Sequence, residues 1–278
     1  MAKISIGSIA VFSLMMLLAI TVMLLWNALP FFGQYNVLDF IAGTHWHPDE
    51  GVFGLLPLLT GTLLVTLIAM LFALPLGIAS AVYLHGVAPF ALRETVKPFM
   101  EILGSVPSVV YGLFGITILA PFAQKLLSLT VGQCALVAGV TLGIMTLPIT
   151  ISITEDALAA VPRELSEAAL ALGSTRWETL IKVVIPAARS GIMAAILLSF
   201  GRAVGETMVV LMVAGGSARI TLNPGVPVRP MTATIAAEMG ETPVGSTHFH
   251  ALFAVAGVLF LLTIAINMIA SRYAGRQR

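Results

Sequence analysis

The sequence predicts an all-α, polytopic membrane protein with six transmembrane helices, and three observations predict it. Of its 278 residues, 58% are hydrophobic and only 10% are charged, with a mean hydropathy of +1.02. A soluble domain carries about 25% charged residues, so this chain lacks the polar groups to face water on all sides. Six stretches reach the roughly 20 apolar residues that a spanning helix needs. Lysine and arginine then fall mostly on one side of those six spans. The balance of 14 Lys+Arg against 13 Asp+Glu leaves a net charge of +1, which excludes the basic surface of a nucleic-acid binder. The single cysteine, Cys134, excludes an internal disulfide and a cysteine-based metal cluster.

The spans are read near 4–29, 58–84, 99–120, 134–154, 191–214 and 251–270. The first has Lys3 and an apolar run, as a signal peptide has, but the run is too long and no small-x-small cleavage site follows. It is read as a span. From 99 to 154 the chain is almost continuously apolar, and Lys125 with Gly132–Gln133 marks the turn between spans 3 and 4. Pro75, Pro107 and Pro148 fall inside spans 2, 3 and 4, where a proline bends the helix and frees a carbonyl.

Charge placement sets the orientation. With both termini in the cytoplasm, Lys3, Arg93, Lys97, Arg163, Arg176, Lys182, Arg189, Arg272, Arg276 and Arg278 lie inside. Only Lys125, Arg219 and Arg229 lie outside, and Arg202 lies within a span. Ten bases against three is the bias expected of cytoplasmic loops.

The loop 155–190 between spans 4 and 5 reads as two short helices. Pro162 suits a first helical turn. Leu165, Ala168, Ala169 and Leu172 follow with the spacing of one helical stripe. Gly173 is a stop signal. Thr175 and Glu178 form a capping-box pattern for a second helix, whose stripe is Trp177, Leu180, Ile181 and Val184. Each apolar stripe needs a cover, either the underside of the bundle and the lipid interface or a groove on another protein.

Span 5 holds Arg202 and Glu206, four residues apart and so on one helix face. Arginine at a helix centre costs about 2.5–3.5 kcal/mol on insertion and marks an interior or wet cavity. One reading is an ion pair that neutralises Arg202. The other is an anion site, because a guanidinium presents a planar fork of donors to an oxyanion. Ser105, Ser108 and Tyr111 place hydroxyls beside Pro107; they either bond to backbone or donate to a passing oxyanion. Glu101 stands at the interface. His45 and His47 have no third ligand at defined spacing and are not read as a metal site.

Glu167-Ala168-Ala169, then Gly173 after three residues, then Val183-Val184-Ile185-Pro186 after nine more, resembles the EAA loop of ABC importer permeases. The family pattern ends I-x-L-P, so the spacing is kept and two aliphatic identities are swapped. The resemblance implies a type I ABC importer permease: one transmembrane domain, residues 1–278, with a coupling loop at 155–190. Glu167, Ala168, Ala169 and Gly173 then couple to a separate ATPase. The chain contains no G-x-x-x-x-G-K-[ST] phosphate loop, so it is a non-catalytic subunit, binding no cofactor itself, with ATP and Mg on the partner.

The phrase Ser199-Phe200-Gly201-Arg202-Ala203-Val204-Gly205-Glu206-Thr207-Met208 resembles the matching helix of phosphate-specific (Pst) permeases. Val106–Gly115, Met231–Glu241 and Gly54–Thr62 resemble further Pst phrases, and together the matches cover most of 44–250. The form is more like the PstC subunit than its paralogue PstA. The resemblance implies an inorganic phosphate importer of the bacterial inner membrane, with a PstA-like permease, a PstB-like ATPase dimer and an extracytoplasmic PstS-like binding protein. Arg202, Glu206, Thr207, Ser105, Ser108 and Tyr111 would line its pathway, and loops 30–57 and 215–250 would receive the binding protein. A permease for sulfate, molybdate or phosphonate is the alternative. No His-Glu-x-x-His and no Gly-x-Ser-x-Gly motif supports a membrane enzyme.

Overall fold

The computed structural model describes residues 2–275. Arg276 and Arg278 lie outside the described residues, as do the side chains of Lys3 and Arg272. The long apolar runs form helices because a backbone in lipid has no water to bond and must satisfy its own N–H and C=O groups. In chain order these are α1 (Ala2–Gln34), α2 (Val37–Ala42) and α3 (Leu56–Gly86), with a two-stranded hairpin, β1 (Trp46–His47) and β2 (Val52–Phe53), between α2 and α3. Then come α4 (Phe90–Ser105), α5 (Ser108–Leu126), α6 (Ala135–Ala159), α7 (Arg163–Ala171) and α8 (Arg176–Ala187). The last four are α9 (Arg189–Val204), α10 (Met208–Val213), α11 (Met231–Glu238) and α12 (Thr247–Gly275).

Five helices are long and apolar enough to cross a membrane: Val11–Gln34 within α1, α3, α5, α6, and Thr247–Ile269 within α12. The sixth crossing is broken. α9 is about 24 Å long and α10 about 9 Å, so only the two together match the roughly 30 Å hydrocarbon core. α8 precedes α9 at a bend of 66°.

α3, α6 and α9 form the centre. Glycines let the backbones of α3 and α6 approach closely, as small residues do between membrane helices. A Cβ on Gly139 would stand 2.6 Å from the Ile68 side chain, and one on Gly77 would stand 2.7 Å from that of Thr150. Thr150 and Ser199 hydroxyls share a buried 2.7 Å hydrogen bond that ties α6 to α9. Pro75 and Pro148 sit inside unbroken helices. α1 packs on α12, and its C-terminal end joins a second cluster in which Phe31, Phe40, Trp46 and Phe53 are buried with Leu252 and Val255. The rest of α1 is exposed along residues such as Phe12, Leu18 and Leu25.

The structure corrects three boundaries. The expected third span, 99–120, is not one helix. Val106 and Pro107 are extended (ψ 132° and 137°) and separate α4 from α5, because a residue before proline avoids the helical region. The span itself is Ser108–Leu126. α4, with Arg93, Glu94, Lys97 and Glu101, is amphipathic and contains no buried residue. The expected fifth span, 191–214, breaks at Gly205–Thr207. The loop expected from 155 starts later, since α6 continues through Ala159.

Candidate functional site

The break in the sixth crossing separates the residues that the sequence placed on one helix face. Arg202 is exposed near the end of α9, and it makes no ion pair or hydrogen bond among the described residues. Glu206 does not pair with it. Its carboxylate accepts the N–H groups of Met208 (3.1 Å) and Val209 (3.4 Å), which are first-turn donors of α10. An ionised cap at a helix N-terminus satisfies donors that have no partner within the helix. The ion-pair reading of Arg202 therefore fails. Thr207 is half-buried, and its hydroxyl donates at 3.4 Å to the Gly205 carbonyl.

The break is braced from α11. The Thr232 hydroxyl donates to the Glu206 carbonyl at 2.7 Å. The Met231 N–H donates to the buried Thr62 hydroxyl of α3 at 2.9 Å. Thr62, Thr66, Ala203, Glu206, Pro230 and Thr232 come together around this brace and leave no room for a water molecule between them.

The hydroxyls of span 3 serve the backbone. Tyr111 donates to the Leu103 carbonyl (2.8 Å) and Ser105 to that of Ile102 (2.7 Å), both in the last turn of α4. Helix-end carbonyls lack partners within the helix, so these two side chains satisfy the end that Pro107 creates. Ser108, half-buried in the first turn of α5, is bonded to none of the described residues. The Arg202 charge lies within Coulombic reach of the Tyr111 phenol.

The segment between α6 and α9 has the two helices that its sequence signals. Pro162 is the N-cap of α7 rather than a member of its first turn. Gly173 is left-handed (φ 89°), and the N–H of Gly173 bonds to Leu170 O (3.0 Å) while that of Ser174 bonds to Ala169 O (3.2 Å). The capping box is complete: the Thr175 hydroxyl accepts the Glu178 N–H (3.2 Å), and the Glu178 carboxylate accepts the Thr175 N–H (3.0 Å). Those bonds, with Lys182 at 3.2 Å, lower the Glu178 pKa from 4.5 to about 2. Leu180 and Val184 pack inward on Leu158 and Ala188, whereas Trp177, Ile181 and Leu165 stay exposed and Leu172 is 89% exposed. Of the EAA residues, Ala169 is buried, while Glu167 and Ala168 are exposed.

Residues 73–277 match the family described as binding-protein-dependent transport system inner membrane component. The chain belongs to this family. The permease is 36% identical over 241 residues to the probable ABC transporter permease protein YqgH of Bacillus subtilis, across 84% of this chain and 78% of that protein. It is 36% identical over 264 residues to the phosphate transport system permease protein PstC of Mesorhizobium japonicum, across 88% and 79%. In fold it is similar to an inward-facing form of the MetNI methionine ABC transporter, with a TM-score of 0.63 at 20% identity, covering 83% of this chain and 98% of that one. The architecture is that of a type I ABC importer permease.

Two polar nodes of the permease were missed in the sequence. Near the C-terminal end of α6, Glu155 is only 2% exposed. Its carboxylate accepts from Arg93 and, at 2.8 Å, from Lys97, both on α4; Lys97 also holds Asp156 at 2.5 Å. The hydrogen bonds that Lys97 donates to Asp156 and Glu155 raise its pKa above the ordinary value. At the end of α11, Glu238 accepts from Trp46 (3.1 Å), Arg229 (2.5 Å) and His248 (2.8 Å), and so joins hairpin, loop and α12 beside a cavity of about 730 Å³. The signal for Glu155 was a carboxylate at the C-terminal end of a span, 58 residues from Lys97 in sequence, and no local pattern links such a pair.

Proposed function

We propose that this permease is the PstC-like membrane subunit of an ATP-driven inorganic phosphate importer, paired with a PstA-like permease that completes the pathway. Arg202 carries the reading. It lies about 20 Å along α9 from its cytoplasmic start, at hydrocarbon depth, and Glu206 is committed elsewhere. An arginine there requires an anion or a charged neighbour, and its fork of donors fits an oxyanion. The names of the PstC relatives support phosphate as that oxyanion. Thr207 and Ser108 offer further donors on the same route, while Glu206, Ser105 and Tyr111 hold the backbone that shapes it.

A PstB-like ATPase dimer, carrying ATP and Mg, would supply the work. It would grip the exposed residues of α7 and α8 around Glu167, Ala168 and Gly173 and rock the two permeases between outward and inward access. A PstS-like protein would deliver phosphate to the outer loops. The permease is multi-pass in the bacterial inner membrane, with both termini in the cytoplasm. The test is radiolabelled phosphate uptake in cells lacking this chain, with the chain or its Arg202→Gln variant restored. The chain should restore uptake that excess sulfate and molybdate leave unchanged. The variant should assemble and transport nothing. Full competition by another oxyanion would reassign the substrate, and normal uptake by Arg202→Gln would remove the anion role.

A further inference from the structure

A second basic site lies far from Arg202, on the cytoplasmic side. A cavity of about 250 Å³ opens between the inner ends of α3, α4 and α6 and the start of α7, lined by His85, Arg93, Arg163 and Ser166 among apolar neighbours. Every ionisable group on its wall is a base. Arg163 and Ser166 make no side-chain hydrogen bond or ion pair with any described residue. The His85 Nδ1 is buried with no hydrogen-bond partner and lies 3.9 Å from Glu155. Glu155 stands behind Arg93 and is already held by Arg93 and Lys97. Arg93 and Lys97 are paired with Glu155 and Asp156, which leaves the Arg163 guanidinium on the cavity wall without an ion pair among the described residues. The volume is below the roughly 300–1,000 Å³ of drug-sized ligands, which suits a small anion or headgroup and not a nucleotide.

We propose that this cavity binds a phosphate group, either free inorganic phosphate or the headgroup of an anionic phospholipid of the inner leaflet. Arg93 and Arg163 clamp it and Ser166 donates to it. Arginine pairs and a hydroxyl match the three or four oxygens of such a group. Occupancy bridges α4 to α7 and fixes the coupling segment against the bundle. The site is independent of what the pathway carries.

The test is thermal unfolding of the full chain in nanodiscs, in an Arg202→Gln background so that the pathway arginine does not contribute. One arm titrates inorganic phosphate in phosphatidylcholine discs; the other adds phosphatidylglycerol to the discs. A rise in midpoint in either arm is expected, and the arm that gives it identifies the source. Arg163→Gln should unfold at the parent midpoint without ligand, because Arg163 holds no partner. It should need about tenfold more ligand for the same rise, the loss of one charge-assisted contact. Ser166→Leu, which fills the cavity without removing a charge, should give a like loss. No rise in either arm, or an unchanged response in both variants, would overturn the site.

Discussion

At the residue scale, Glu155 is the one charged residue that is fully buried among the described residues. A carboxylate this buried is tolerable only with its cations in place. Replacing Arg93 by Ala leaves Lys97 as its main partner. The expected cost is about 2 kcal/mol in thermal unfolding, below the roughly 3–5 kcal/mol of a fully buried pair, because Arg93 keeps a third of its side chain exposed. Lys97→Ala should cost less, since Lys97 splits its bonds between Glu155 and Asp156. Glu178 behaves differently. Folding lowers its pKa to about 2, so its contribution is full above about 4.5 and is lost as pH falls from there through about 2. The fluorescence of Trp177, with Trp26 and Trp46 replaced by Phe, should report loosening of α8 in that window, and Glu178→Gln should flatten the response. None of these pairings except the local Thr175–Glu178 box was legible beforehand. A capping box is written in four consecutive residues, whereas the Glu155 node is assembled from three helices.

At the element scale, the central break in the sixth crossing depends on a cap. Glu206→Ala strips the acceptor from Met208 and Val209 and should destabilise the fold by about 1 kcal/mol, as lost N-caps do. Glu206→Gln keeps a carbonyl acceptor and should retain most of the stability. If uptake follows stability across the two variants, the residue acts through α10; if Gln is stable and inactive, the charge itself is needed. The six apolar runs were legible because lipid demands about 20 apolar residues per crossing whatever the tertiary context. The breaks at Pro107 and Gly205 were not. Whether a helix continues through such points depends on who satisfies the freed backbone groups. Here the answers, Tyr111 on Leu103 and Thr232 on the Glu206 carbonyl, come from other segments. The x-Pro dipeptide at Val106 was the one signal that favoured a break.

At the scale of the whole molecule, α7 and α8 leave the apolar side chains of Leu165, Leu172, Trp177 and Ile181 uncovered. Leu172→Glu should leave the chain folded, because Leu172 is 89% exposed, yet prevent co-purification of an ATPase partner and abolish uptake. Retained co-purification would move the docking surface elsewhere. The pairing of α1 with α12 has a consequence in time. α1 finds its main protein neighbour only when α12 has been made. Roughly 200 residues separate them, about 10–40 s of synthesis at ribosomal rates. Throughout that interval α1 has to persist alone in the bilayer. Its sequence permits this, since exposed apolar side chains dominate from Ile9 to Leu29 and the Thr21 and Asn27 side chains donate to backbone carbonyls of the same helix.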